Sequence, residues 1–306
     1  MSIHQSYLSF SCQCYLKYFS GQTACLPGWK HNGDLTTVEG TGAAPDGDQD
    51  AILGMIIAVK AVENDSTRPS WYDEVRVWAD ESSTQFLLSN TRLSDSQSHR
   101  IVKLGTCWGG WEGDGNNPSY HSPGHYRAMR DYQLAFEGRS YTLPNFGNSL
   151  SLEENWNMVI DTSYKFLETT KCPDSSVVPN WALVQETDAT TLTKFPGSFS
   201  GSGTPQYEFG SEASRTMWRV VLDGIMYPDE SSSHVNQFLS PLYKNMVDHF
   251  NPNPADTVTY FEEGTVSLIK KDIFPYAILE FLSLYIRWKT NIVSHNCVTF
   301  SFSFIA

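Results

Sequence analysis

Three aspartates at alternate positions, in Pro45-Asp46-Gly47-Asp48-Gln49-Asp50, run straight into the almost wholly apolar segment Ala51 to Val62. Carboxylates at the mouth of an apolar helix cost desolvation energy, which the free N–H groups and positive end of the helix offset only in part. For any single member of the trio, an N-capping role is the ordinary reading. A calcium loop is another, because D-x-D-x-D opens an EF-hand. Such a loop needs Gly at its sixth position and Glu at its twelfth; counting from Asp46 gives Ala51 and Ile57, which excludes it. What remains is a set of carboxylates that can divide acid, base and ligand-holding work among themselves.

Aromatic side chains are the second chemical resource. Nine Trp, fifteen Tyr and seventeen Phe exceed what a core requires and suit a cleft for ring-shaped ligands. The loop Thr106 to Pro123 gathers Cys107, Trp108, Trp111 and Tyr120 among several glycines, which makes Trp111 and Tyr120 candidate stacking residues. Trp181 and Trp218 adjoin apolar helical or turn-forming residues and are expected to pack. Arg219 and Asp223, at i and i+4, are expected to form an ion pair. The net charge of −13 excludes nucleic acid and disfavours a polyanionic ligand. Six cysteines, Cys12, Cys14, Cys25, Cys107, Cys172 and Cys297, include no C-x-x-C pair and no His at ligand spacing, so no structural zinc, and no cofactor, is expected.

The elements that must position these groups are helical. Gln49 to Glu63 is apolar nearly all round, the pattern of a helix buried on every side. Helices are also predicted over Tyr72 to Leu88, Pro123 to Gln133, Leu150 to Glu168, Ser211 to Met226 and Val235 to Phe250, the last ending before Asn-Pro-Asn-Pro at 251–254. No strand alternation interrupts this stretch, so an all-α domain over 26–250 is expected, with 1–25 and 251–306 unassigned. Val298 to Phe304 alternates as a strand would, and Ile273 to Trp288 is too short and too charged to span a membrane. No signal peptide is visible in the first 25 residues.

Four ordered segments resemble glycoside hydrolase family 8, a family of inverting endoglucanases, xylanases and chitosanases. They are AAPDGDQDAILGMIIA at 43–58, NPSYHSPGHYRAMRDY at 117–132, VVPNW at 177–181 and SEASRTMWRVVLD at 211–223. The resemblance implies an (α/α)6 toroid of the six-hairpin glycosidase type, here incomplete at both ends, with an acidic cleft for a β-1,4-linked polysaccharide such as cellulose, β-glucan or xylan. By position it makes Glu212 the catalytic base, where the family has Asp, and Asp46 the residue that holds the sugar at the cleavage subsite. Arg215 matches a substrate-contacting Arg, while Asp48 and Asp50 are left to cap and anchor the helix. Trp29, Trp111 and Tyr120 lie in or beside the matched segments and are expected to bind substrate. Inversion needs a carboxylic acid opposite the base. The family's Ser-Glu-Gly-Gln segment has no counterpart here: Met1 to Ala24 contains no carboxylate, which leaves Glu39, Glu112 and Asp114 as possible replacements. The resemblance therefore implies an extracellular, monomeric glycosidase acting on internal linkages, or a carbohydrate-binding homologue that has lost its general acid.

Overall fold

The protein is described by a computed structural model covering residues 42–250 except 107, 140, 174 and 198–208, together with residue 26 and the segments 30–33, 38–40, 260–262 and 265–267. Trp29, the apolar stretch 273–288 and the alternating tail 298–304 lie outside the described residues.

Proline sets the start of three of the six described helices: α1 (Pro45–Val62), α3 (Pro123–Ala135) and α6 (Pro228–Phe250), each with Pro in its first turn where no N–H is needed. α4 (Leu152–Thr170) begins with a capping box between Ser151 and Glu154. α2 (Tyr72–Ser89) and α5 (Ser211–Met226) complete the set. Each odd-numbered helix packs on its successor, giving the hairpins α1–α2, α3–α4 and α5–α6. The first members also touch in turn, α1 against α3 and α3 against α5. Gly124 lets α3 and α5 approach, since a Cβ there would lie 2.9 Å from the Asp223 Cα. Trp156, Tyr126 and Phe86 stack in the middle of the core, with Ile52, Met129 and Phe166 fully buried around them.

Three expectations change. The domain is mostly but not wholly helical: antiparallel two-stranded ribbons join β1 (Lys30–His31) to β2 (Val38–Gly40), β3 (Thr91–Leu93) to β4 (Arg100–Val102), β5 (Val184–Glu186) to β6 (Leu192–Lys194) and β7 (Tyr260–Glu262) to β8 (Thr265–Ser267). Strands of two or three residues are too short to show alternation, and all three residues of β4 are buried. α1 is not buried on every side: Ile52, Ile56 and Val59 face the core, while Ala51, Gly54 and Ile57 are exposed. Helix α6 starts at Pro228, not Val235, because Pro with Asp229 and Glu230 in the first turn is itself a start signal that the polar run hides.

Candidate active site

Asp46, Tyr120 and Glu212 arrive from three separate elements at corresponding ends of the packed helices. Asp46 lies in the first turn of α1, Glu212 in the first turn of α5, and Tyr120 closes the 3-10 turn Pro118–Tyr120 just before α3. The positive ends of α1 and α5 thus support the two carboxylates. Neither helix has a side-chain N-cap of its own, so the expected capping role of the Asp trio is not what the structure uses. The Asp46 carboxylate accepts from the Gly47 N–H at 2.9 Å. α5 is instead held by Asn180 of the VVPNW segment, whose Oδ1 accepts from the Ala213 N–H at 2.9 Å. Gly210 is needed beside it, because a Cβ would sit 2.8 Å from the Asn180 amide nitrogen.

Arg215 ties the site together. Its Nη1 donates to Asp46 Oδ2 at 2.6 Å, its Nη2 donates to Glu212 Oε2, and its guanidinium lies over the Tyr120 ring, 5.8 Å from the centroid. Burial disfavours the Arg215 charge, but the Glu212 and Asp46 charges more than offset it and raise its pKa. Tyr120 is held protonated, first by burial and then by the charges of Asp46 and Glu212. Side chains of Asp46, Arg215 and Glu212 keep 17%, 33% and 34% of their surface, so the group is open to a ligand at one side.

A second ion group lies one turn further along α1 and α5. Asp50 accepts from Arg219 through both oxygens and from His125 Nε2 at 2.9 Å, and His125 Nδ1 meets Ser122 Oγ at 2.6 Å. Burial pushes the Asp50 carboxyl up, yet its hydrogen bonds from His125 and Arg219 prevail and hold it below the ordinary range. The expected Arg219–Asp223 pair is absent. Arg219, stacked on Trp218 at 4.0 Å, reaches Asp50 of α1, and Asp223 is bound by Arg127 at 3.0 Å and by the Tyr164 hydroxyl at 2.5 Å. Asp48 is buried, accepts from Asn90 Nδ2 at 2.9 Å, and has its pKa raised well above the usual range by burial and, further, by Asp46. It joins α1 to the end of α2.

The predicted residues therefore divide. Asp46, Tyr120, Glu212 and Arg215 come together. Trp111 does not join them: it is 8% exposed within the core, edge-on to His99, while Trp108 of the same loop is half exposed. Trp29 lies outside the described residues. Of the possible acids, Glu39 pairs with Lys30 and Asp114 with Arg92, and Glu112 is exposed with a backbone φ of 56°. The residue that sequence reasoning missed is Asn117, fully buried, whose Nδ2 donates to Glu212 Oε2 at 2.8 Å. Asn directly before Pro-Ser is a recognisable cap signal, and that signal was available. Among the described residues no group of three or more His, Cys, Asp or Glu is arranged to hold a metal, and no helix is long and apolar enough to cross a membrane.

No family model matches the chain. Over 234 residues it is 24% identical to Endoglucanase 2 of Ruminiclostridium josui, covering 76% of this chain and 42% of that protein. Over 204 residues it is 26% identical to Endoglucanase A of Acetivibrio thermocellus, covering 65% of this chain and 34% of that one. The chain thus spans less than half the length of the curated relatives it matches. Among solved structures, a beta-1,3-1,4-glucanase from Paenibacillus sp. X4 superposes with a TM-score of 0.64 at 17% identity, over 96% of this chain and 70% of that one. The chain shares the fold of a glucanase. Rex8A from Paenibacillus barcinonensis, solved with xylose, superposes with a TM-score of 0.56 at 16% identity, over 85% and 59% of the two chains. Both likenesses are consistent with the family 8 resemblance of the four sequence segments.

Proposed function

We propose that this chain belongs to an extracellular glycoside hydrolase of the family 8 type, cleaving internal β-1,4 linkages of cellulose, β-glucan or xylan with inversion. The observation that carries the reading is the joining of Asp46 and Glu212 through Arg215, beside Tyr120, at the N-terminal ends of α1 and α5. The endoglucanase names of the sequence relatives support it, as does the glucanase among the structural ones. The three hairpins are read as half of the six in an (α/α)6 toroid, whose inner helices would be α1, α3 and α5.

In this reading the Glu212 carboxylate takes the proton from a water on the face of the sugar away from the leaving oxygen. Asp46 hydrogen-bonds hydroxyls of the sugar at the point of cleavage. Arg215 orients both carboxylates, and Tyr120 offers an edge or face to the ring. A site where one cation faces two carboxylates disfavours a polyanionic polymer.

Hydrolysis of soluble cellulose, lichenan, xylan and chitosan tests the reading, with the anomer of the first product followed by NMR. Inversion predicts the α-anomer from a β-linked chain. Release of the β-anomer would overturn the mechanism. Retardation in a polysaccharide gel without turnover would replace the enzyme by a carbohydrate-binding homologue.

A further inference from the structure

Asn117 is a fully buried amide with every polar atom engaged. Its Oδ1 accepts from the Ser119 backbone N–H at 2.9 Å and from Ser119 Oγ at 2.8 Å. A backbone N–H cannot accept, so the amide cannot turn over, and Nδ2 is committed to Glu212 Oε2 at 2.8 Å. That same oxygen receives Arg215 Nη2, whereas Oε1 has no partner among the described residues. Two donors on one carboxylate oxygen draw charge toward it and fix the plane of the group. The proton-accepting work then falls to the other oxygen, in a defined direction.

The support beneath Asn117 is as fully determined. Its backbone N–H donates to Asn116 Oδ1 at 2.7 Å, and Asn116 Nδ2 donates to the Val102 carbonyl of β4 at 2.7 Å. Asn116 also exchanges both backbone hydrogen bonds with Ala182. Its Oδ1, an acceptor, lies 3.1 Å from His121 Nε2, which requires the Nε2–H tautomer. His121 Nδ1 then accepts from Ser163 Oγ of α4 at 3.0 Å. His121 is sandwiched flat on Phe166, with centroids 4.1 Å apart. Four elements thereby fix one amide. Packing alone would not demand that a fully satisfied polar chain end on a partly open carboxylate.

We infer that Asn117 is a positioning residue that selects Glu212 Oε1 as the proton-accepting oxygen by donating to Oε2, with Asn116 and His121 as its rigid mount. This rests on the assignment of Glu212 as the base proposed above. Charged and titratable groups facing Glu212 are Arg215 of its own helix, Asp46 of α1 through Arg215, and Tyr120 of the 3-10 turn. The substitutions below leave all three in place.

Asn117→Asp keeps an oxygen for Ser119 and sets a second carboxylate against Glu212, so it retains the turn while reversing the effect on charge. The acid limb of the pH profile of kcat/KM is expected to rise by about 1–2 pH units, because adjacent carboxylates resist double ionisation. Asn117→Ala is expected to lower kcat about 10- to 100-fold with KM nearly unchanged, the range for losing an interaction that orients a catalytic group. In parallel, the carbon-13 signal of the Glu212 side-chain carboxyl is expected to titrate at higher pH in both variants than in wild type. A fall in thermal stability with an unmoved acid limb and an unmoved carboxyl titration would overturn the inference and leave Asn117 as a turn-capping residue. If wild type hydrolyses none of the polysaccharides, the functional reading fails by itself; the carboxyl titration still decides whether Asn117 governs the protonation of Glu212.

Discussion

Arg215 donates to two carboxylates at once, and under the proposed function that crowding of acidic groups would disfavour a polyanionic polymer. Its forked guanidinium reaches Asp46 with one nitrogen and Glu212 with the other, a geometry that a single ammonium cannot reproduce. Arg215→Lys is therefore expected to lower kcat/KM about 10- to 100-fold while leaving the fold intact, the scale set by losing one charge-assisted bond. Initial rates on the preferred polysaccharide check it, and full activity would assign Arg215 to charge balance alone. Glu212→Gln keeps the shape and the acceptor for Asn117 but cannot take a proton. Loss of a general base removes about 10²–10⁴ in kcat. KM is expected to stay near wild type, since Asp46 and Tyr120 are untouched. A variant with more than a tenth of wild-type kcat would remove Glu212 from the mechanism.

The three packed helices α1, α3 and α5 set the distance between Asp46 and Glu212, and Gly124 is where that distance is most exposed to change. An added Cβ would lie 2.9 Å from the Asp223 Cα and 3.0 Å from its nitrogen, both backbone atoms that cannot rotate away. Replacing Gly by Ala favours a helix by at most about 1 kcal/mol. Overpacking against backbone costs about 1–3 kcal/mol, so the clash wins. Gly124→Ala is expected to lower the urea midpoint at an unchanged slope, and activity is expected to fall as α5 shifts with Glu212. An unchanged or raised midpoint would mean that the α3–α5 contact adjusts freely. The helices themselves were legible in the sequence because apolar residues at helical spacing and first-turn prolines are local signals. Glu212, Arg215, Asp46 and Tyr120 were legible as members of ordered segments. The partners were not. Asp50 and Arg219 are 169 positions apart, and a neighbour at i+4, Asp223, offered a simpler pairing that the fold rejects by engaging it with Arg127 and Tyr164. The Gly-rich loop points to Trp111 as a stacking residue, yet that loop turns inward at Trp111 and outward at Trp108.

The net charge of −13 and the buried histidines make opposite demands on the whole molecule as pH falls. Protonating surface carboxylates relieves self-repulsion, which by itself predicts greater stability in mild acid. At physiological salt that repulsion is screened beyond about 8 Å. His121 is wholly buried, and burial pushes its pKa down to about 3; His125 is lowered too, by burial first and by Arg219, against the opposing pull of Asp50. His121 stays neutral in the fold well into the acid range and His125 is biased the same way, whereas in the unfolded chain both take up protons below about pH 6.5. A group whose folded pKa lies under its unfolded one contributes fully above the unfolded value, and the contribution drains away as pH drops. Each such histidine loses up to about 1.4 kcal/mol per pH unit once the unfolded side chain is protonated. Unlike the surface charges, these two are shielded from salt, so their effect prevails. The urea midpoint is expected to fall steadily from pH 6.5 to pH 4.5 in 0.15 M salt. His121→Gln keeps an N–H for Asn116 without titrating, so it is expected to flatten the decline, even at some cost in stability at pH 7. A wild-type midpoint that holds or rises over this interval would show that relief of negative charge, not the buried histidines, governs the acid response of the fold.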